Sequence, residues 1–465
     1  MKNEYLSTTR KALTINLDNI RYGTFAEIGA GQEVARHFFQ AGHASNTVAK
    51  TISAYDKVFS DAIYGKGSRF VSHQRLNKML DHEYKLLEER LKDTRGSDSC
   101  FFVFANTVAT SSHQEDSSSH AWAGVRFQTR PGGPTNDVIL HVNMHDRMRL
   151  QQQEALGILG VNLLFGSFYL SEMGPDFVAS LIENLGFDRV EIDFIRFMGE
   201  DVDHIDDRIL SLELVKQGLT KAVMFQPNGE PQQLTDALYG KSVLVERGAF
   251  RPLTMTNLEI ITRGKDQVIK DCRIKEKDLI TLFEITMKHL KQEGHIDYQD
   301  FLQRVDTICA LGYPVLVTNY PLYSQLNRYL RRCTHEHIAI IVGAASLPAL
   351  FSEDAYKQSR GGILGAFGDL FDDNSRIYVY PFKNKDTCST AASFFPDEKL
   401  QPLYQYLREN KSVLDILDCD DVDTSVSASD VRKMMEKGDS RWEQYVPDKV
   451  CKLIKSRKLF GYHEF

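Results

Sequence analysis

The chain has 465 residues, of which 42% are hydrophobic and 26% are charged. These fractions are typical of a globular protein, and the length predicts two or three domains with well-buried cores. The net charge of −7 argues against a general electrostatic attraction to nucleic acid or to an anionic membrane surface.

Targeting and cysteine patterns point to a cytoplasmic protein. The first ten residues lack the apolar core of a signal peptide, and no run of 18 apolar residues is present to span a membrane. The seven cysteines are scattered and include no Cys-x-x-Cys pair. We therefore expect no membrane association, no zinc knuckle and no disulfide framework.

The first part of the chain alternates predicted strands and helices. The predicted strands are 22–28, 101–104, 123–128, 138–142 and 190–197, and the predicted helices are 33–40, 72–91 and 151–169. Two more strand candidates lie between 241 and 261, around Arg251-Pro252. This order predicts a mixed α/β domain that covers residues 1–262.

A second domain, residues 263–465, is predicted to begin where charge density rises after 262–266. Apolar residues at helical spacing predict a helix over 279–290, followed by a helix over 298–310. Strand 315–320, helix 322–333 and strand 338–343 then predict a doubly wound, Rossmann-like parallel sheet. Ligands in such folds lie at the carboxyl ends of strands, which selects Thr318, Asn319 and Gly343 as candidate site residues.

A glycine-rich turn follows the first predicted strand and contains Glu27, Gly29 and Gly31. Similar turns bind nucleotides or S-adenosylmethionine at a helix N-terminus. The third glycine position is occupied by Val34, so an ordinary tight turn is the alternative interpretation.

The histidine-rich region does not predict a metal site. His141 and His145 have metal-ligand spacing only in a helix, whereas residues 139–142 read as a strand. We therefore expect no bound metal there.

The segment from Glu246 to Pro252 brings Arg247 and Arg251 close to one acid. Arginine pairs of this kind bind phosphate or carboxylate groups. A salt-bridged strand end explains the same residues equally well, and both interpretations stay open.

The most informative segment runs from Val426 to Arg432 and reads Val-Ser-Ala-Ser-Asp-Val-Arg. Ser427 or Ser429 can cap the helix that follows, and the first helical turns favour an anion. Arg432 would add a permanent cation from the same helix. The alternative is a capped surface helix with an exposed arginine.

This segment, with Tyr445-Val446-Pro447 after it, resembles the closing motif of the nucleotidyltransferase superfamily. That superfamily includes the nicotinamide and nicotinate mononucleotide adenylyltransferases, and the chain as a whole resembles a bacterial family labelled nicotinate-nucleotide adenylyltransferase. The resemblance implies that Ser427, Ser429 and Arg432 hold the phosphates of a nucleotide.

The resemblance also requires an opening motif, which is a strand, a turn with His-x-Gly-His, and a helix leading to a second, adjacent parallel strand. The best match places strand 315–320 first and strand 338–343 second, so the four signature positions are Leu322 to Gln325. Both histidines are absent. Gln325 can donate one uncharged hydrogen bond, so efficient adenylyl transfer is not expected.

The sequence therefore predicts a nucleotide-binding protein of nucleotidyltransferase type with weak or absent transfer activity. Its ligand would be ATP or a related nucleotide, such as nicotinate mononucleotide or an NAD-like dinucleotide, with Mg²⁺ as an optional companion. One alternative is an active adenylyltransferase of NAD synthesis. Another is an enzyme whose active site lies at the glycine-rich turn. No nucleic-acid partner is expected, and homo-oligomerisation stays open.

Overall fold

The computed structural model describes residues 6–67, 69–110, 119–186, 188–292, 294–384, 387–416 and 426–464. The contacts divide the chain into two compact units, Met1–Lys221 and Ala222–Phe465. Each unit has its own large sheet.

The first unit contains seven helices and six strands within its described residues. The helices are α1 (Thr8–Leu17), α2 (Glu33–Ala41), α3 (Lys57–Tyr64), α4 (His73–Arg95), α5 (Arg149–Tyr169), α6 (Pro175–Ser180) and α7 (Asp207–Gln217). The strands are β1 (Arg21–Ile28), β2 (Val48–Ile52), β3 (Cys100–Ala109), β4 (His120–Gln128), β5 (Thr135–Met144) and β6 (Val190–Met198).

The sheet of the first unit has the order β2-β1-β3-β4-β5-β6. The first three strands are parallel, and β3 to β6 are antiparallel. Helix α4 covers one face, where Leu76 and Leu80 pack in a cluster with Trp122. On the other face, Phe25 of β1 packs against Phe38 of α2, with ring centroids 4.9 Å apart. The mixed α/β architecture predicted for this part of the chain is confirmed.

The second unit contains the remaining described elements. Its strands are β7 (Ala222–Phe225), β8 (Pro231–Gln232), β9 (Ser242–Arg247), β10 (Leu279–Thr286), β11 (Lys291–Gln292), β12 (His295–Ile296), β13 (Val315–Thr318), β14 (Ile338–Gly343), β15 (Ser375–Tyr380), β16 (Phe382–Asn384), β17 (Thr387–Ser389) and β18 (Val413–Asp415). Its helices are α8 (Leu234–Leu238), α9 (Met255–Cys272), α10 (Met287–Leu290), α11 (Tyr298–Cys309), α12 (Tyr323–Cys333), α13 (Leu347–Leu350), α14 (Gly362–Leu370), α15 (Gln401–Glu409), α16 (Ala428–Glu436) and α17 (Asp448–Arg457).

The main sheet of the second unit has the order β18-β15-β14-β9-β10-β13-β7-β8. The strands from β18 to β13 are parallel, and β7 and β8 extend the β13 edge as an antiparallel hairpin. From β9 the chain proceeds through β10 to β13 on one side, and then through β14 and β15 to β18 on the other. This order, with two runs that leave a central first strand in opposite directions, is that of a doubly wound sheet. The predicted fold class is confirmed.

Helices cover both faces of this sheet. Ile340 and Val342 of β14 face the core cluster that contains Leu326 of α12 and Phe367 of α14. Ile341 points to the opposite face, where a Cβ built on Gly264 of α9 would lie only 2.4 Å from its side chain. Helix α9 therefore lies against β14 at a distance that only glycine allows.

That contact places residues 262–266 inside the second unit, so the boundary between the two units lies before residue 262. The glycine and charges of residues 262–266 resemble a linker, but Gly264 is a packing residue inside α9. Strand β9, which precedes residue 262, is the central first strand of the second sheet. Residues 222–262 consequently belong to the second compact unit.

Two local predictions in this region are wrong. Residues 279–286 form strand β10 instead of a helix, because an apolar strand buried on both faces lacks the alternation that separates strand from helix. The second strand candidate, after Arg251-Pro252, is the start of helix α9.

The prediction that the 315–320 and 338–343 segments are adjacent parallel strands is also wrong. The match of the opening motif to residues 322–325, on which the nucleotidyltransferase interpretation depended, therefore fails. Strands β13 and β14 both form, but β9 and β10 lie between them. The strand that opens the doubly wound sheet is therefore β9, which begins at Ser242, whereas the predicted opening strand begins at Val315.

Five cysteines of the described residues are free thiols, and they are Cys100, Cys272, Cys309, Cys333 and Cys451. Cys388 is disulfide-bonded, which the scattered cysteine spacing did not predict. Within the described part of the chain, no helix combines the length and the apolar character needed to cross a membrane.

Candidate functional site

The carboxyl end of β9 is the point where the two halves of the second sheet diverge. Its neighbours there are β14 on one side and β10 on the other. In doubly wound sheets a crevice opens at this point, because the connections on the two sides leave in opposite directions. The turn from Gly248 to Thr254, which joins β9 to α9, borders that crevice.

The turn has an unusual backbone held by an aromatic contact. Phe250 has a φ of 47°, a left-handed conformation that is uncommon for a residue other than glycine. Its side chain is buried, and its ring meets that of Phe283 with centroids 5.0 Å apart. Burial of Phe250 therefore fixes the direction in which the next residue, Arg251, leaves the turn.

Two arginines share one carboxylate beside this turn. The guanidinium groups of Arg251 and Arg304 both hydrogen-bond to Asp300 of α11, one to each oxygen. Arg304 is almost fully buried, with 2% of its side chain exposed. Its Nη1 also donates to the Ala249 carbonyl oxygen at 3.1 Å. Arg304 thus ties α11 to the turn.

A third arginine, Arg432 of α16, reaches the same turn. Its Nη1 donates to the carbonyl oxygen of Arg251 and, at 3.4 Å, to that of Ala428. Burial and the nearby Arg251 charge lower the pKa of Arg432, while Asp300 and Glu436 oppose that shift. The charges of three guanidinium groups therefore meet beside one directly bonded carboxylate.

The same excess of positive over negative charge acts on Arg304. Burial lowers the pKa of Arg304, its partner Asp300 raises it, and the charges of Arg251 and Arg432 lower it further. A cation whose neighbours lower its pKa gains stability when an anion arrives. Arg251, with 30% of its side chain exposed, leaves this cluster open to solvent.

Ser427 and Ser429 occupy the start of α16, as the sequence predicts. Ser427 is the N-cap, and its hydroxyl oxygen accepts from the Asp430 amide at 3.3 Å. Its hydroxyl also donates to the Asp430 carboxylate at 2.6 Å. Ser429 is exposed on the first turn. A phosphate bound here would have to replace the Asp430 carboxylate at the Ser427 hydroxyl.

Thr318 serves a buried network beside the crevice. Its hydroxyl donates to Glu284 at 2.6 Å, and Glu284 is fully buried. The same carboxylate accepts two hydrogen bonds from Arg247, at 2.7 and 2.9 Å. The Arg247 guanidinium lies over the ring of Tyr323, 4.3 Å from its centroid. Thr318 therefore orients Glu284, and Arg247 is already matched by a carboxylate.

Among the described residues, the other predicted site residues share no hydrogen bond with the three arginines. Asn319 is exposed after β13, and Gly343 is exposed at the carboxyl end of β14. The side-chain oxygen of Gln325 accepts from the Leu322 amide at 3.4 Å and caps α12. The structure thus gives Gln325 a role in helix capping, because the signature positions were assigned to the wrong strand.

The opening signature has a better structural counterpart at the start of α9. Thr254 is the N-cap and Asn257 is the third helical residue, which is the spacing of the two histidines in His-x-Gly-His. The Asn257 side-chain oxygen accepts from the Thr254 amide at 3.1 Å and from its hydroxyl at 2.9 Å. Both side chains are therefore engaged with each other in a capping box.

Asn257 is further held by a buried acid. Its side-chain amide donates to Glu246 Oε1 at 2.7 Å. The other carboxyl oxygen, Oε2, is buried without a hydrogen-bond partner. Burial raises the pKa of Glu246 to about 8, although the Asn257 hydrogen bond acts in the opposite direction. Glu246 is consequently protonated at neutral pH.

A cavity of about 690 Å³ adjoins the start of α9. Its walls come from the first turns of α9, the residue before Ser427, and the segment ahead of α17. The lining residues are Met255, Thr256, Leu258, Glu259, Thr262, Arg263, Val426, Gln444 and Tyr445. We call this space the α9 cavity. Polar and charged side chains outnumber apolar ones in its lining, so it suits an organic ligand that carries several polar groups.

In the first unit, the carboxylate of Glu27 occupies the N-terminus of α2, next to the glycine-rich turn. Glu27 accepts from the amides of Val34 and Ala35 in the first turn of α2, at 3.1 and 3.0 Å. Burial raises the pKa of Glu27 to about 7, while these hydrogen bonds and one with Asn106 lower it. The helix N-terminus predicted to meet a cofactor is therefore engaged by the protein itself, and cofactor binding at Glu27, Gly29 and Gly31 stays a prediction.

The histidines of the first unit form a hydrogen-bonded chain. His141 Nδ1 lies 2.5 Å from Asp193 Oδ1, and His141 Nε2 lies 3.0 Å from His120 Nδ1. His145 lies at 3.9 Å from Glu191. Among the described residues, no group of three or more histidine, cysteine, aspartate or glutamate side chains is arranged to hold a metal ion.

Sequence reasoning missed Asp300, Arg304 and Asn257. Asp300 and Arg304 are four residues apart on α11, a spacing that usually indicates a surface ion pair. Only their burial distinguishes them, and burial is not visible in the sequence. Asn257 could have been found from its position three residues after Thr254, which is the spacing of a capping box.

Comparisons with known proteins find structural neighbours over part of the chain. A competence/damage inducible protein, CihA, from Agrobacterium tumefaciens has 16% identity and a TM-score of 0.26, and the match covers 34% of this chain and 94% of that one. Plasmodium falciparum nicotinic acid mononucleotide adenylyltransferase, solved with APC, has 11% identity and a TM-score of 0.30, covering 48% and 98%. A putative nicotinate-nucleotide adenylyltransferase from Vibrio parahaemolyticus has 14% identity and a TM-score of 0.24, covering 47% and 95%.

No family model matches this chain, and no curated protein matches it. The fold and the site together define a class, which is a two-unit α/β protein whose second unit is a doubly wound sheet with a cationic turn at its central strand. The structural neighbours include adenylyltransferases and competence-damage proteins, at low similarity.

Proposed function

We propose that this protein binds a nucleotide at the carboxyl edge of the second sheet, with weak or absent adenylyl transfer. The observation that carries the proposal is the meeting of Arg251, Arg304 and Arg432 beside one carboxylate, Asp300. A phosphate or diphosphate group would balance the excess positive charge and accept hydrogen bonds from the exposed guanidinium edges.

The position of the cluster supports a nucleotide over a simple anion. It lies at the divergence point of a doubly wound sheet, where nucleotides commonly bind. The α9 cavity begins at Met255 and Thr256, three and four residues after Pro252, and also contacts Val426, next to Ser427. A nucleoside in the α9 cavity would therefore place its phosphates toward the turn and the start of α16.

ATP, nicotinate mononucleotide and NAD-like dinucleotides all fit this description, and a triphosphate would bring Mg²⁺ as its counter-ion. Efficient transfer needs charged or donor groups aimed at the phosphates as they react. At the two signature positions, Thr254 and Asn257 are bonded to each other and to Glu246. These two side chains are neutral and already hydrogen-bonded within the protein, so they do not supply donors for a reacting phosphate. We therefore propose nucleotide binding with weak or absent transfer.

Calorimetric titration tests this function. Wild-type protein is titrated with ATP, nicotinate mononucleotide and NAD, and the tightest ligand is repeated with Arg432→Ala. Loss of a charge-assisted phosphate contact should cost on the order of 1.5–3 kcal/mol, which corresponds to about a 10- to 150-fold rise in Kd.

The matched control is Arg328→Ala. Arg328 is 66% exposed and pairs with Asp369 at 3.3 Å, so its removal should leave Kd unchanged. Equal binding by wild type and Arg432→Ala would remove this site from consideration. Failure of wild type to bind any of the three ligands would overturn the function itself.

A further inference from the structure

His289 lies beside the turn from Gly248 to Thr254. The sequence patterns did not select it as a candidate site residue. It lies in α10, directly after β10, and its ring hydrogen-bonds to the Gly248 backbone. Its own carbonyl oxygen accepts from Arg304 Nη1 at 2.9 Å, and that same Nη1 bonds to Ala249. His289 and Arg304 are therefore attached to the turn at adjacent residues.

One ring nitrogen of His289 is not used by the protein. Nδ1 is buried and has no hydrogen-bond partner among the described residues. A buried polar nitrogen without a partner costs free energy. A ligand oxygen that accepted a hydrogen bond from Nδ1 would remove that cost.

The charged side chains that act most strongly on His289 are cations. They are Arg247 from β9, Arg304 from α11 and Lys288 on its own helix. The carboxylates nearby are bonded to two of these arginines, with Glu284 on Arg247 and Asp300 on Arg304. Burial and then these cations lower the pKa of His289 to about 4, so the ring is neutral when the site holds no anion.

We propose that His289 is a phosphate ligand of this site and that it takes up one proton when a nucleotide binds. The proposal rests on the nucleotide-binding function proposed above. A bound phosphate would supply the negative charge that the surroundings of His289 lack, and Nδ1 would then carry a proton and donate it in a hydrogen bond. His289 would thereby provide, from β10, an imidazolium that Thr254 and Asn257 cannot provide from α9.

Proton uptake makes nucleotide affinity depend on pH with a definite sign. The proton is bound in the complex and absent from the free protein, so affinity must rise as pH falls. One linked proton gives at most about a tenfold fall in Kd for each pH unit below the pKa of the complex. The effect vanishes above that pKa, where His289 is neutral in both states.

The test is calorimetric titration with NAD between pH 5.5 and 8. NAD is the probe because its diphosphate group does not titrate in this range, so protons taken up belong to the protein. Each titration is run in two phosphate-free buffers with different ionisation enthalpies, which yields the number of protons bound. Wild type, His289→Gln and the exposed-histidine control His463→Gln are compared.

We expect wild type and His463→Gln to take up close to one proton at pH 5.5 and to bind more tightly there than at pH 8. His289→Gln should bind with a smaller proton uptake and a flatter pH profile. Identical proton uptake in wild type and His289→Gln would overturn the role of His289. If Arg432→Ala still raises the nucleotide Kd in that case, the proposed nucleotide site stands without His289. Failure of wild type to bind ATP, nicotinate mononucleotide or NAD would overturn both proposals.

Discussion

The guanidinium of Arg432 donates a hydrogen bond to the main-chain oxygen of Arg251, although 181 positions separate the two residues in the sequence. This contact joins the closing segment of the chain to the turn after the central strand β9. Each segment alone has an ordinary interpretation as a capped helix or a salt-bridged strand end. Together they form a cationic site.

The first prediction concerns the geometry of Arg432. Arg432→Lys keeps the positive charge but loses the planar guanidinium, whose Nη1 donates to two carbonyl oxygens. We expect its Kd for the tightest nucleotide to lie between wild type and Arg432→Ala, about three- to tenfold above wild type by the size of one lost hydrogen bond. Calorimetric titration measures this directly. A Lys variant as tight as wild type would show that charge alone matters.

Asp300→Asn tests the charge balance of the cluster. Asp300 is 6% exposed and holds both Arg251 and Arg304, and breaking a buried ion pair costs about 3–5 kcal/mol. We expect a lower melting temperature without ligand. Pyrophosphate should raise that melting temperature more in Asp300→Asn than in wild type, because it supplies the missing negative charge.

Thermal unfolding with and without pyrophosphate provides the measurement. Asp354→Asn is the control, since its ion pair with Lys357 is exposed, with 79% of the Asp354 side chain accessible. An equal pyrophosphate effect in Asp300→Asn and wild type would contradict an anion site at this cluster.

The raised pKa of Glu246 predicts how the free energy of unfolding depends on pH. Its pKa is raised to about 8 in the folded protein from an ordinary value of 4.5, so the folded state binds more protons between these values. Stability from this group is fully present below about pH 4.5 and falls as pH rises, by at most about 1.4 kcal/mol per pH unit, until about pH 8. Glu246→Gln removes the titration and preserves the oxygen that accepts from Asn257.

We therefore expect Glu246→Gln to gain stability relative to wild type as pH rises from 5 to 8, measured by urea unfolding. The exposed Glu353→Gln should follow wild type at every pH. A stability difference between Glu246→Gln and wild type that stays constant with pH would mean that Glu246 is not a buried neutral acid.

Pyrophosphate release distinguishes binding from catalysis. With ATP and nicotinate mononucleotide, we expect turnover well below the usual range of roughly 1–10³ per second, because Thr254 and Asn257 hold each other in a capping box. Turnover inside that range would establish an active adenylyltransferase. Loss of such turnover in Arg432→Ala would place it at the second unit.

Glu27→Gln tests the alternative active site in the first unit. An amide in place of the carboxylate would turn an N–H group toward the Val34 or Ala35 amide, which now donates to Glu27. We expect a loss of about 1–3 kcal/mol in unfolding free energy from the unmatched donor, with nucleotide Kd unchanged. Nucleotide binding or turnover that disappears in Glu27→Gln, while the protein stays folded, would favour the glycine-rich turn as the active site.

Much of the local structure was predictable from the sequence. The capped start of α16 at Ser427, and the long helix α4 from Ser72, follow from capping residues and apolar periodicity. These features depend on neighbours three or four residues away, which the sequence displays directly. Strand β10 was not predictable in the same way, since a strand buried on both faces shows no alternation.

The order of strands, and with it the site, was decided by tertiary structure. Sequence order alone suggested that β13 and β14 were neighbours, whereas β9 and β10 insert between them. Gly264, which looks like a linker residue, instead lets α9 approach Ile341. Asp300 and Arg304 look like a surface pair until α11 buries them beside Arg251. The sequence specifies which groups can carry charge or cap a helix. Pairing and burial determine which of those groups meet, because both depend on contacts between residues far apart along the chain.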